Sequence, residues 1–179
     1  MMKKTNLIIV FLLTFNFLQS QNSTANYENW YYNTRYGLVF ETPRKMEQNK
    51  KFTKIPKGVE DYINNAEAYT YQEDDLVLIY LIWETNFTEY NTERGLKGAI
   101  TNHIIGLNGT EISLNLFDVY PTYNDAECFG SFKYKDDDMS VCGYCLFNQK
   151  SSRVFTLIGY SSINNDKLKY IFNSIKIIK

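Results

Sequence analysis

Apolar residues along this chain follow a strand-like pattern in some segments and a helical spacing in others. The order of these segments predicts the elements of the fold. Residues 76–83 form an almost continuous apolar run, which indicates a central strand covered on both faces. A short acidic turn pairs this run with the alternating segment 66–72 in a β-hairpin. Over residues 91–107 the apolar residues recur at helical spacing, so a middle helix is predicted that ends at an Asn-Gly pair.

The remaining pattern is mostly strand, and it ends in a second helix. Further strands are predicted at residues 36–41, 112–119, 127–134, 139–148 and 153–161. Asn164 or Asn165 is expected to cap a C-terminal helix, whose apolar stripe continues into a short strand-like tail over 175–178. Gly95 and Gly98 weaken the middle helix relative to alanine, so we expect them to allow its close approach to the sheet.

This order of elements predicts an α+β domain, in which a middle helix and a C-terminal helix pack on a mainly antiparallel sheet. We expect a single domain over 36–179, preceded by a signal peptide over 1–20 and an aromatic lead segment over 21–35. The element order resembles the PsbP-like superfamily, as do two segments, Tyr36-Gly37-Leu38-Val39-Phe40-Glu41-Thr42-Pro43 and Asn173-Ser174-Ile175-Lys176-Ile177-Ile178. That superfamily also takes in a Ran-binding nuclear import factor. The resemblance implies a binding, chaperone or assembly role and transfers no functional residue.

The N-terminal residues have the pattern of a secretory signal peptide. Lys3 and Lys4 precede an apolar stretch over 7–18, and Ser20 supplies a small residue for cleavage. An uncleaved anchor is the alternative, but a membrane span needs about 20 apolar residues. No cysteine lies near the cleavage region to carry the lipid of a bacterial lipoprotein. We therefore expect a periplasmic or secreted protein with no membrane span in the mature chain.

Composition describes one ordinary folded domain with a weak surface charge. The 179 residues are 44% hydrophobic and 22% charged, which excludes a disordered tail, a collagen-like repeat and a multi-span membrane protein. Cleavage after Ser20 removes two of the 19 basic side chains and none of the 20 acidic ones, so the net charge becomes −3. Without a block of basic residues, the chain lacks the electrostatic pattern of a nucleic-acid binder.

Cys128, Cys142 and Cys145 carry the sharpest local motif, a C-x-x-C in an exported chain. It resembles the active site of thioredoxin-like oxidoreductases, but it lies in a predicted strand instead of at a helix N-terminus. If Asp136-Asp137 centres the surrounding hairpin, Cys128 lies directly opposite Cys145, within the about 4.4–6.8 Å that a disulfide spans. We favour this disulfide, with buried free thiols as the alternative. Cys142 would then be a free thiol on the opposite face.

Other candidate chemistry has less support. His103 is the only histidine and falls on the apolar stripe of the middle helix, so neither a zinc site nor a catalytic base is expected there. The acidic run over 136–138 lacks the spacing of an EF-hand and is expected as a solvated turn. Four carboxylates at predicted strand ends suit a hydrolytic pair if two of them lie close together: Glu84, Asp118, Asp125 and Glu127. No metal and no cofactor is expected.

Aromatic residues are dense near the predicted start of the mature chain. Of the many aromatic side chains, five fall within ten positions: Tyr27, Trp30, Tyr31, Tyr32 and Tyr36. One interpretation is that they cover the first strand and fill the rim of the core. The other is that they contact a partner, since aromatic residues with a polar tip are favoured at recognition surfaces.

The sequence thus favours an exported, non-catalytic binding or protein-interaction module, whose protein or small-molecule partner is unknown. The alternative is an exported enzyme, either thiol-dependent through the C-x-x-C or a hydrolase that uses strand-end carboxylates. A third hypothesis is an immunity-type or chaperone partner. An exposed thiol or a pocket with convergent carboxylates would favour the enzyme, and an exposed aromatic patch with a filled interior would favour binding.

Overall fold

A computed structural model describes residues 30–55, 57–73, 75–117, 123–162 and 166–178. The chain divides into two units, Met1–Trp30 and Tyr31–Lys179. Of the first unit the structure describes only Trp30, and the second contains every described strand and helix. The predicted signal peptide, the two predicted capping asparagines Asn164 and Asn165, and Asp118 lie outside the described residues.

The second unit contains ten strands and two α-helices within the described ranges. The helices are α1 (Thr92–Gly106) and α2 (Asp166–Asn173). The strands are, in chain order, β1 (Tyr31–Arg35), β2 (Leu38–Thr42), β3 (Glu47–Gln48), β4 (Ile63–Glu73), β5 (Leu76–Thr85), β6 (Thr110–Phe117), β7 (Asn124–Tyr134), β8 (Asp137–Asn148), β9 (Arg153–Ser162) and β10 (Lys176–Ile177). In the described part of the chain, no helix combines the length and apolar content needed to cross a membrane.

The strands form two antiparallel sheets. The large sheet has seven strands in the order β3-β4-β5-β9-β8-β7-β6, and the small sheet has the order β1-β2-β10. As predicted, β5 is an interior strand that forms a hairpin with β4. With its two helices and antiparallel strands, the structure confirms the α+β fold class.

Two glycines allow the two helices to pack closely on opposite faces of the large sheet. A Cβ on Gly143 of β8 would lie 2.6 Å from Ile100 Cδ1 and 2.9 Å from Leu96 Cδ1, both on α1. A Cβ on Gly159 of β9 would lie 2.6 Å from Leu168 Cδ1 on α2. Because real Cβ atoms do not come so close, glycine at these positions lets each helix approach the sheet. We call the two sides of the sheet the α1 face and the α2 face.

The glycines that were predicted to allow this approach are not the ones that do. Nothing lies within 4 Å of a Cβ built on Gly98, and the close neighbour of Gly95 is the Tyr90 hydroxyl. The prediction was wrong because the side chains of Leu96 and Ile100, and not the helix backbone, reach the sheet. Space for them comes from the glycine in β8.

The β7–β8 hairpin turns one residue earlier than predicted. Tyr134 pairs with Asp137, so Lys135 and Asp136 form a two-residue turn in which φ is 50° and 72°. Positive φ at both central positions is typical of the turns whose twist matches that of the flanking strands. Since the centre moves by one residue, each cross-strand pairing shifts by two. The predicted register is therefore wrong, but each side chain keeps its predicted face.

The small sheet contains a strand that the sequence did not predict. Residues 31–35 were assigned to the aromatic lead segment, yet they form β1 and pair with β2 from Tyr31↔Thr42 to Arg35↔Leu38. β10 pairs with the other edge of β2, so the C-terminal tail closes this sheet. The inward residues of β2, Leu38 and Phe40, are fully buried.

Substitution of a glycine in the sheet tests the close packing of α1 on β8. We expect Gly143→Ala to lower the free energy of unfolding by about 1–3 kcal/mol, because its methyl group overpacks the contact with Leu96 and Ile100. Gly98→Ala is the control, and it should raise the free energy of unfolding by up to about 1 kcal/mol, since the helix gains alanine in open space. Urea unfolding measures both changes, and a stability of Gly143→Ala equal to that of Gly98→Ala would contradict this packing.

Candidate functional site

The small sheet exposes aromatic residues that the sequence singled out. Tyr32 is 63% exposed, Tyr36 43% and Tyr31 41%. Trp30 is partly buried, and Tyr27 lies outside the described residues. Tyr31, Tyr32 and Tyr36 are therefore exposed at the surface and do not fill the rim of the core. We call Tyr31, Tyr32 and Tyr36 the aromatic hairpin, since they lie on β1 and on the turn between β1 and β2.

A trio of arginine, tyrosine and glutamate fastens β1 to the large sheet. The Arg35 guanidinium lies 4.2 Å from the centre of the Tyr69 ring, an arrangement that favours cation–π attraction. The Tyr69 hydroxyl donates to Glu67 Oε2 at 2.6 Å, and Arg35 Nη1 lies 3.7 Å from the same carboxylate oxygen. These groups therefore fix where β1 sits over β4.

A second trio repeats the arrangement further along β4. Arg44 binds Glu73 at 2.8 Å and lies 5.9 Å from the centre of the Tyr71 ring, and the Tyr71 hydroxyl donates to Glu73. The four β4 residues of the two trios alternate in sequence, so all of them project from the α2 face. Burial, followed by the hydrogen bonds to Glu67 and Glu73, raises the pKa of both tyrosines to about 12. Each phenol therefore stays a neutral donor.

A small pocket lies beneath β1, between the small sheet and the α2 face. Its volume is about 140 Å³. A single water needs about 10–15 Å³ of such space, so the pocket accommodates several waters or a small organic group. Its lining includes two cations and three phenol rings: Arg35, Lys45, Tyr31, Tyr69 and Tyr80.

Tyr80 is the buried wall of this pocket, and its hydroxyl lacks a hydrogen-bond partner among the described residues. The residue is only 2% exposed, and its ring packs edge-on against Phe40 at 5.1 Å. Burial raises the pKa of Tyr80, and the charges of Arg35 and Glu67 act on that pKa in opposite directions. An unpaired buried hydroxyl costs about 1–3 kcal/mol, and most buried polar groups avoid that cost.

A larger groove opens at the end of the large sheet where β8 turns into β9. Its volume is about 1410 Å³, and its apolar lining includes Leu146, Phe147, Ile177 and Ile178. Several of its amide side chains are already used by the chain itself. Asn124 donates to Tyr90 O at 2.7 Å, and Gln149 donates to Thr88 O at 3.2 Å. We therefore interpret the groove as the space between loops that these amides tie together.

All three cysteines are buried free thiols. Cys128 lies opposite Gly143, and Cys145 lies opposite Ala126, so the two cysteines are diagonal neighbours. Diagonal neighbours lie about 7–8 Å apart, which exceeds the about 4.4–6.8 Å that a disulfide spans. The expected disulfide between Cys128 and Cys145 is therefore absent from the structure, because the hairpin register differs by two residues. Cys142 points to the opposite face, as predicted.

The environment of the thiols does not suit catalysis. Burial raises the pKa of Cys128 to about 11 and of Cys142 and Cys145 to about 12. A thiol reacts as its thiolate, of which these values leave almost none at neutral pH. The C-x-x-C motif also lies within β8 and not at a helix N-terminus. Nothing in this geometry favours a thiol-dependent enzyme.

The predicted strand-end carboxylates do not converge as a set. Glu84 forms a salt bridge of 2.7 Å with an arginine of β9. Asp125 is buried and accepts a hydrogen bond of 2.9 Å from Tyr144. Burial and the nearby Asp125 raise the pKa of Glu127, which lies two residues further along the same face of β7. Neither of the two depressions described above is lined by Asp125 or Glu127.

His103 packs between aromatic rings on α1. Its ring lies 5.5 Å from Tyr160 and 6.0 Å from Phe52. Its buried Nε2 has no partner among the described residues, and burial lowers its pKa. In the described part of the chain, no group of three histidine, cysteine or acidic side chains is arranged to hold a metal ion.

Sequence reasoning missed Arg35, Lys45 and Tyr80. Tyr80 lies inside the apolar run over 76–83 and was therefore interpreted as core. It is, however, the one residue of that run that carries a hydroxyl, and a buried tyrosine usually needs a partner for it. This need for a hydrogen-bond partner is the sequence signal that could have identified Tyr80 as a candidate site residue.

Removal of the Tyr80 hydroxyl tests whether it is unpaired in the free protein. We expect Tyr80→Phe to raise the free energy of unfolding by about 1 kcal/mol, because the buried oxygen loses its desolvation cost and the ring keeps its packing. Tyr69→Phe is the matched control, and it should lower stability, since its hydroxyl binds Glu67. Thermal unfolding of both variants measures the difference. A loss of stability in Tyr80→Phe would mean that its hydroxyl has a partner in the protein.

The buried thiols make a second prediction. At pH 8 the folded protein should react with an alkylating reagent far more slowly than the unfolded chain, because burial keeps the thiols protonated. Intact-mass analysis should show no added groups on the native protein and three after denaturation. Rapid alkylation of native Cys142, or a mass lower by two hydrogens, would contradict the structure.

Comparisons with known proteins identify no family for this chain. No protein-family model matches it, and no curated protein matches it. Among solved structures, the chain is similar to the Ran-binding protein Mog1p of Saccharomyces cerevisiae, with a TM-score of 0.47 and 8% identity over 84% of this chain and 96% of that one. A mutant of protein Mog1 is similar with a TM-score of 0.46 and 8% identity, over 84% of this chain and 97% of that one. These values assign neither a family nor an activity.

Proposed function

We propose that this chain is a non-catalytic binding module that contacts its partner through the aromatic hairpin. The observation that carries the proposal is the exposure of Tyr31, Tyr32 and Tyr36, of which Tyr32 is the most exposed at 63%. Tyrosine supplies a large contact area with few rotatable bonds, so it is favoured in the centres of interfaces.

The hairpin is held firmly in place, which supports a recognition role. Arg35 stacks on Tyr69, and Arg153 stacks on Tyr36 at 3.9 Å from its ring centre. The Tyr36 hydroxyl also donates to Glu67 Oε1 at 3.4 Å. Because these contacts order the surface before a partner arrives, binding loses less conformational entropy.

The groups that would carry catalysis are less suitable. The thiols are buried and protonated, His103 is enclosed by rings, and Asp125 accepts a hydrogen bond from Tyr144. No histidine or cysteine lines either described depression. This arrangement favours binding over the enzyme alternative.

Export is a further part of the proposal. The basic and apolar pattern of residues 1–20 supports cleavage after Ser20 and a periplasmic or secreted location. Buried thiols are compatible with an oxidising compartment, because burial suppresses the reactive thiolate.

A tyrosine substitution on the hairpin tests the function. We expect Tyr32→Ser to weaken capture of a stoichiometric partner from the native source by about tenfold or more, because the most exposed ring of the surface is lost. The bait is residues 21–179 with a C-terminal tag, and quantitative mass spectrometry compares the captured proteins.

Tyr62→Ser is the matched control. Tyr62 is 52% exposed, but it stacks on Phe87, which packs against the core beneath α1. The control should retain the partner even though the loss of its stacking on Phe87 lowers its unfolding temperature, and Tyr32→Ser should unfold at the temperature of the unmodified chain. Equal capture by the unmodified chain and Tyr32→Ser, with loss in Tyr62→Ser, would place recognition elsewhere and refute the proposal.

A further inference from the structure

The pocket beneath β1 concentrates positive charge beside a free hydrogen-bond donor. Arg35 and Lys45 both line it, and Glu67 lies 3.7 Å from Arg35. Two cations and one carboxylate leave a local charge of +1. The separation of 3.7 Å between Arg35 and Glu67 is longer than a hydrogen bond, so this contact leaves the guanidinium donors available.

The buried hydroxyl of Tyr80 requires a hydrogen-bond acceptor. Its hydroxyl has no partner among the described residues, its side chain is 2% exposed, and it lines the same pocket. Because burial keeps the phenol protonated and uncharged, its O–H is available to donate a hydrogen bond to an incoming oxygen. An occupant that supplies an acceptor would remove the cost of this unpaired group.

The remaining walls suit an organic group. Tyr31 and Tyr69 contribute rings to the pocket, and Met46 contributes a buried thioether chain. A dianion would exceed the local charge of +1, whereas a monoanion matches it. The volume of about 140 Å³ also limits the occupant to a small group.

We propose that this pocket binds a carboxylate group, with Tyr80 and Arg35 donating to its oxygens, Lys45 supplying further positive charge, and the rings of Tyr31 and Tyr69 contacting its organic remainder. This inference rests on the proposed binding function and names the ligand chemistry at that surface. The carboxylate belongs either to a small organic acid or to the C-terminus of a peptide.

Binding of benzoate to residues 21–179, followed by NMR chemical shifts and calorimetry, tests the proposal. Benzoate should bind, and benzamide, its neutral analogue of similar shape, should bind at least about tenfold more weakly, since hydrogen bonds to a charged acceptor are the stronger ones. Tyr80→Phe should weaken benzoate binding by about tenfold. Lys45→Gln, at an exposed position, should weaken it several-fold without affecting the fold.

Three results would overturn the proposal. These are the absence of benzoate binding up to its solubility limit, equal affinity for benzamide and benzoate, and unchanged affinity in Tyr80→Phe. Tyr62→Phe is the control for tyrosine substitution and should bind benzoate normally. If Tyr80→Phe fails to fold, Lys45→Gln alone decides, and an unchanged affinity in that variant then refutes the role of the pocket.

A pair of short peptides distinguishes the two sources of the carboxylate. A peptide with a free C-terminus that binds more tightly than benzoate, and loses binding when amidated, identifies a peptide terminus. Tighter binding of benzoate identifies a small acid. Tyr32→Ser should leave benzoate binding intact, because Tyr32 does not line the pocket. Failure of this inference is thereby distinguished from failure of the proposed function, which Tyr32→Ser tests by partner capture.

Discussion

The candidate site depends on the contacts that hold the small sheet against β4. Two arginines lie against two tyrosines of one strand, and each tyrosine hydroxyl donates to a glutamate two residues away. Single exposed ion pairs contribute only about 0–1 kcal/mol, so the effect of these trios is geometric more than energetic. Arg35 fixes β1 over β4, and the Tyr80 side chain lines the pocket that remains beneath β1, with its buried hydroxyl unpaired among the described residues.

Helix packing covers both faces of the large sheet. Gly143 and Gly159 admit the side chains of α1 and α2 on opposite faces, so both sides of the central strands are covered. The three cysteines and Asp125 are buried by this packing. The aromatic hairpin and the pocket beneath β1 lie outside this packing.

The sequence predicted those features that depend on local periodicity. The apolar run over 76–83 and the helical spacing of Leu96, Ile100 and Ile104 predicted β5 and α1 correctly, because burial imposes a period of its own on each element. The register of the β7–β8 hairpin was wrong, since Lys135 carries no sequence signal for positive φ. β1 was missed because a strand that pairs with only one neighbour needs little apolar alternation.

The candidate site was predicted only in part, for a related reason. The aromatic cluster is visible in the sequence because its members are neighbours. The pocket joins Arg35, Lys45 and Tyr80, which come together only when the small sheet folds over β4 and β5. Whether the Tyr80 hydroxyl has a hydrogen-bond partner likewise depends on the residues around it in the folded structure. Contacts between residues far apart in the chain therefore limited the prediction.

A crystal structure of residues 21–179 grown with benzoate tests the central claim most directly. The account predicts a carboxylate in the pocket beneath β1, with one oxygen within hydrogen-bond distance of the Tyr80 hydroxyl and the other facing Arg35. A Tyr80 hydroxyl that donates to a protein group, in a pocket closed by β1 and empty of benzoate, would contradict it.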